Sequence, residues 1–196
     1  KVSGSSWGGI YLRGGEYNNF VDVTSIVSSD NLYLEGASNN NFTNCYFESA
    51  WTYSLYSIDG SQDNSFFNTV FNGIFQLGDY AGEHNFTNCT ITGDVTINVG
   101  RLNRFWYADV YLNDSYGTAV SGANVSAYDK NNVLKNTQLT NSSGYAQRIT
   151  LREYMQNATS TYYDTNYTFE ATKEGYLEDS NIVNLTTNYI GSNYTW

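Results

Sequence analysis

The sequence predicts an all-β protein: a short right-handed parallel β-helix of about five rungs over residues 1–107, followed by a β-sandwich over 108–196. Three observations predict it. Aromatics make up 17% of the chain, with 19 Tyr and 10 Phe, and Gly or Asn interrupts almost every apolar run, a pattern of many short strands. The first half repeats a phrase, "NNFTNCYF" at 40–47 and "HNFTNCTI" at 84–91. The second half places turn signals roughly every ten residues between alternating strands.

Taking the phenylalanine of the phrase as an anchor, the same context recurs at Phe20, Phe42, Phe66, Phe86 and, degenerate, Phe105, with separations of 22, 24, 20 and 19. Upstream of each lies a short strand: "GIYLRG", "LYLEG", "YSIDG", "IFQLG" and "TINVG". A unit of this size cannot bury its own apolar side, so neighbouring units must stack. Three columns keep register. Two residues after the anchor stand Asp22, Asn44, Asn68 and Asn88, then Tyr107. Asn tolerates a left-handed corner, and its amide bonds to the residues above and below, giving a polar ladder expected to be buried at Asn88. Three after the anchor stand Val23, Cys45, Thr69, Cys89 and Ala108, all small; five after stand Ser25, Phe47, Phe71, Ile91 and Val110.

Cys45 and Cys89 are therefore expected as free, buried thiols. They lie two rungs apart, which at about 4.8 Å per rung puts their Cα atoms about 10 Å apart, beyond the roughly 7 Å limit for a disulfide. The competing reading for a secreted chain is a single bridge between them.

Beyond residue 107 the phrases "GTAVSGANVSAYD" (117–129), "TNSSGYAQRITL" (140–151) and "YTFEATKEGY" (167–176) follow the strand–turn–strand rhythm. They resemble the carboxypeptidase-regulatory-like, prealbumin-type sandwich domains, which implies an immunoglobulin-like module serving as a spacer or adhesive unit. Residues 1–107 resemble the pectate-lyase-like β-helices. Together the two halves are similar to surface-layer, sheath and filament glycoproteins of archaea.

Charge and composition exclude several classes. A net charge of −10 with no basic stripe argues against nucleic acid, and no run is long enough to span a bilayer as a helix. Residue 1 is Lys rather than Met, the start of either a processed product or a piece of something longer. Glycosylation triplets begin at Asn41, Asn85, Asn113, Asn124, Asn141, Asn157, Asn166, Asn184 and Asn193, and also at Asn88, which the ladder claims. In "NFT", "NVS", "NYT" and "NLT" the middle residue is apolar, so strand alternation turns it inward and leaves Asn facing solvent. The expected setting is extracellular, at a cell surface, with N-linked glycans.

No catalytic, cofactor or metal site is expected. The acids of the rungs scatter through corners without a paired column, as glycoside hydrolysis requires. His84, the one histidine, replaces Asn18, Asn40 and Asn64 of the other rungs and reads as a polar surface substitute. "DSYG" at 114–117 and "EGYLEDS" at 174–180 have the oxygen donors for Ca²⁺ but no calcium motif, and read as solvated turns. Tyr53, Tyr56, Tyr80, Tyr162, Tyr163, Tyr167, Tyr189 and Tyr194 exceed what two small cores need, so some are expected on the surface, at protein interfaces or against sugar rings. The expected function is that of a non-catalytic structural subunit whose partner is itself, in a surface layer, sheath or filament. Its contacts would be sheet edges and an open β-helix end near Lys1, completed by a neighbour's tail strand ending in Trp196. The alternative is a carbohydrate-binding or adhesive module with a surface polysaccharide as partner.

Overall fold

The structure is a computed structural model that describes residues 2–3, 9–27 and 29–195, with side chains described for 9–27 and 29–189. It is all-β among the described residues, and the chain divides into two compact units: 1–104 with 155–162, and 105–154 with 163–196.

The first unit is a parallel β-solenoid of about 4 turns. Each turn writes a short strand, a left-handed corner and a second strand, and the turns stack in register. In one sheet Asn19–Val21, Asn41–Thr43, Asn64–Phe67 and Glu83–Thr87 lie side by side, so that Phe20, Phe42, Phe66 and Phe86 face one another. Their rings stack at 4.7, 4.8 and 4.7 Å, tilted by 7°, 13° and 5°. Phe47 and Phe71 form a second column, 5.6 Å apart, whose rings meet the first edge-on. Phe42, Phe47, Phe66, Phe71, Phe75 and Phe86 are all fully buried. Burying each contributes about 2–3 kcal/mol, and each ring pair adds about 0.5–1.5 kcal/mol.

The corners explain the choice of Asn. Asp22, Asn44, Asn68 and Asn88 have φ of 55°, 55°, 51° and 52°, a conformation that most side chains resist. The other sheet carries Ile10–Arg13, Leu32–Glu35, Tyr46–Ile58, Val70–Leu77 and Val95–Ile97 in parallel register. The expected fifth rung at Phe105 does not form. Residues Arg101–Asn113 form one 13-residue strand, with Tyr107 where the other rungs place their left-handed corner residue, and Phe105 opens the second unit.

The second unit contains an antiparallel four-stranded sheet in the order Leu134–Leu139, Asn124–Tyr128, Tyr167–Thr172, Asp179–Val183. Arg101–Asn113 pairs with Tyr145–Gln156. Side chains from both sets, among them Val110, Leu112, Val125, Ile149, Leu151 and Phe169, share one buried cluster. Tyr189–Thr195 runs parallel to Arg101–Asn113 within the same chain, from Ala108↔Tyr189 to Asn113↔Thr195. Lys1 and Trp196, invoked at the sequence level for an open end and its complement, lie outside the described residues.

Candidate functional site: two polar ladders in one solenoid

Two polar columns climb the rungs, four residues apart in each turn. The outer one is the corner column. Asn44 donates from Nδ2 to Asp22 Oδ1 (3.1 Å), Asn68 to Asn44 Oδ1 (3.2 Å) and Asn88 to Asn68 Oδ1 (2.8 Å). Asn88, where burial is expected, is half-buried, as is Asn68, and Asp22 and Asn44 are exposed. A left-handed corner points its side chain away from the phenylalanine columns, and water reaches it.

The inner column, Asn18, Asn40, Asn64 and His84, is the more tightly built. Asn40 Oδ1 accepts both the backbone N–H and the amide of Asn18, at 3.0 and 2.9 Å. Asn64 Oδ1 does the same for Asn40, at 2.9 and 2.9 Å. The amide of Asn40 also reaches Gly15 O, and that of Asn64 reaches Ala37 O. His84 ends the column. Its Nδ1 faces the backbone N–H and amide of Asn64, both at 3.4 Å, and its Nε2 lies 2.8 Å from Ser57 Oγ. Two donors aimed at Nδ1 require it to accept, so the network assigns the proton to Nε2.

His84 is thus not the surface substitute expected from sequence. It is fully buried, and burial pushes its pKa down to about 3. Imidazole nitrogen replaces amide oxygen as the acceptor at the last rung.

Cys45 and Cys89 are free and buried, and they form a third column with Thr69 between them. Each sends its S–H or O–H to the carbonyl two residues back: Cys45 to Thr43 (3.4 Å), Thr69 to Phe67 (3.1 Å), Cys89 to Thr87 (3.4 Å). Each also approaches the anchor carbonyl of the preceding rung, at Phe20, Phe42 and Phe66 respectively. Burial raises both thiol pKa values, that of Cys89 to about 12. Such thiols are poor nucleophiles at neutral pH.

Of the sequon asparagines, Asn41, Asn141, Asn166 and Asn184 are exposed, and Asn85, Asn113, Asn124 and Asn157 half-buried. The side chain of Asn193 lies outside those described. Asn141 and Asn157 close Asx turns, each Oδ1 accepting backbone N–H groups two residues on and beyond. The apolar middle residues Phe42, Phe86, Val125, Tyr167 and Leu185 are buried, but so are the hydroxyl residues Thr87 and Ser126. Asp114 spends its Oδ1 on the N–H groups of Tyr116 and Thr118 (2.9 and 2.8 Å). No group of three or more His, Cys, Asp or Glu among the described residues is placed to hold a metal ion.

The tyrosines split. Tyr80, Tyr162 and Tyr163 are exposed, whereas Tyr167 is a core residue at 0% exposure, its hydroxyl donating to Arg152 O at 2.9 Å. Tyr189 packs half-buried on the same core, and Tyr194 has no described side chain. No protein-family model, curated protein or solved structure matches the chain.

Proposed function

We propose that this chain is a non-catalytic structural module of an extracellular assembly, a surface layer, sheath or filament, its second unit a sandwich of the immunoglobulin-like kind. The observation that carries the reading is the pair of open edges on the four-stranded sheet. Leu134–Leu139 bonds only to Asn124–Tyr128, and Asp179–Val183 only to Tyr167–Thr172, among the described residues. Both edges expose large apolar side chains, Leu134 and Leu139 on one, Ile182 on the other. The edge lysine that ordinarily discourages pairing, Lys135, is tied down to Asp129 at 2.9 Å. Two different edges of one sheet joining head to tail make a heterologous contact, which propagates instead of closing.

The residues most able to do chemistry support the same reading. His84, Cys45 and Cys89 are committed to packing and hydrogen bonding inside the solenoid. Self-association must also overcome the net charge of −10, so raised salt favours it.

Sedimentation and electron microscopy of the purified chain across concentration and salt test this. Ordered polymers that grow with salt are expected, and Leu139→Lys combined with Ile182→Lys should return the chain to monomers with its fold intact. A native chain that stays monomeric throughout, or polymers indifferent to both substitutions, overturns the proposal.

A further inference from the structure

The two acidic turns of the second unit, 114–117 and 173–178, come together and line a shared cavity of about 670 Å³. Both are tightly built. Asp114 Oδ1 accepts the N–H groups of Tyr116 and Thr118 at 2.9 and 2.8 Å, and the Gly117 N–H donates to Asp114 O at 2.9 Å, with Gly117 at the left-handed φ of 81° that closes the turn. In the second turn the Tyr176 N–H donates to Lys173 O at 3.1 Å, with Gly175 at φ 85°. Lys173 then ties that turn down: its Nζ donates to Ser121 O at 2.6 Å and lies 5.5 Å from the centre of the Tyr176 ring.

Turns this tight ordinarily carry polar or small residues. These present Tyr116, 93% exposed, and Leu177, 86% exposed, with Tyr176 beside them. None of the three belongs to the buried cluster of the second unit. A second cavity, of about 440 Å³, shares Tyr176, Leu177 and Glu178 with the first. Apolar side chains held out on rigid turns of a β scaffold are an arrangement by which loops bind partners.

The rim fixes the sign of what fits there. Asp114, Glu174, Glu178 and Asp179 line the two cavities, and Lys173, the one base among the lining residues, is already engaged. These acids do not converge: among the described residues no group of three or more is placed to hold a metal ion. Acids spread around apolar side chains suit a partner whose positive charges are also spread and interleaved with apolar groups. A second copy fits poorly, since it brings another net charge of −10.

We propose that this pair of turns docks a segment of another protein that carries Lys or Arg beside apolar residues. Its apolar groups cover Leu177 and Tyr116, and its cations meet the carboxylates around them. An occupant that reaches both cavities crosses the turn at Leu177, so a length of chain fits it better than a single side chain. The inference goes beyond self-assembly and separates from it by the effect of salt. Screening weakens this contact, whereas it favours association of like-charged copies.

Fluorescence anisotropy of short labelled peptides titrated with the full chain tests it, using repeats of Lys-Leu-Ser, Lys-Ser-Ser and Glu-Leu-Ser. The native chain should bind the Lys-Leu-Ser repeat about tenfold more tightly than either of the others, and raised salt should weaken that binding. Leu177→Ser, and separately Glu174→Gln with Glu178→Gln, should each weaken it about tenfold with thermal unfolding unchanged, since all these positions are exposed. Glu16→Gln with Asp94→Asn, which removes the same charge from exposed positions of the first unit, should leave binding unaltered. No binding of the Lys-Leu-Ser repeat, equal binding of the Lys-Ser-Ser repeat, or an equal loss in the two double variants would overturn the proposal. So would polymers of the native chain that dissolve on Leu177→Ser, which would give these turns to a second copy instead.

Discussion

The two asparagine ladders run through the same turns of the same solenoid, yet they hold it in different ways. The corner ladder, Asp22 to Asn88, sets backbone conformation: its residues occupy left-handed φ, and their amides bond one another in the presence of water. The inner ladder, Asn18 to His84, satisfies donors that have no access to water, because Asn40, Asn64 and His84 are fully buried. A hydrogen bond exposed to water contributes little net, whereas a buried donor left alone costs its full desolvation. The same residue type at two positions four apart is therefore a conformational device in one case and an obligatory partner in the other.

The comparison is broken most severely at Asn64. Its side chain accepts from Asn40 twice, donates to Ala37 O and faces His84 Nδ1. Asn64→Ala strands several of those groups in the core, at about 1–3 kcal/mol each. A loss of about 4 kcal/mol in denaturant unfolding is expected. A loss below about 1 kcal/mol, no larger than an exposed amide bond is worth, would show that the inner ladder is not obligatory.

Acid probes the end of the same ladder. His84 is held neutral with a pKa of about 3, against 6.5 for the unperturbed group. Between those values the unfolded chain takes up a proton that the fold refuses, so stability present above pH 6.5 is lost as pH falls toward 3. The contribution is about 1.4 kcal/mol per pH unit, or about 3 kcal/mol between about pH 6 and about pH 4. His84→Asn restores the residue of the other rungs and should remove that part of the acid slope. Native and variant chains with parallel stability–pH curves over this range would refute the assignment.

What the sequence made legible follows from what periodicity measures. Repeated identity at a fixed offset from Phe20, Phe42, Phe66 and Phe86 marks a column, and the phenylalanine stack, the corner column and the Cys45–Thr69–Cys89 column are all seen in the structure. Periodicity does not say which way a polar column faces. Asn and His are read as outward because most are exposed, and so His84 is expected at the surface. The inner ladder's signal was present: a column of Asn beside the anchor in every turn, with a single substitution by another acceptor. A bulge at Trp51 also left a trace. The turn from Phe42 to Phe66 takes 24 residues and the next only 20, a surplus of four that the strand Tyr46–Ile58 absorbs opposite Val70–Leu77. The open edges of the second unit left none, since a strand's place in its sheet depends on partners far away in sequence.

The finest test separates conformation from hydrogen bonding within the corner ladder. Asn68 bonds to Asn44 and Asn88 and sits at φ 51°. Asn68→Gly removes the amide but accepts the left-handed backbone, so only the partly solvated hydrogen bonds are lost, about 0.5 kcal/mol. Asn68→Ala removes the amide and also forces a Cβ into a conformation that costs about 1 kcal/mol or more, so it should be the less stable of the two by about 1 kcal/mol. If Ala and Gly are equally destabilising, the ladder acts through its hydrogen bonds after all, and the distinction between the two columns reduces to burial alone. If Gly matches the native chain within about 0.3 kcal/mol, the corner needs only its φ, and the run of amides up the edge of the solenoid follows from four residues each chosen for its own turn.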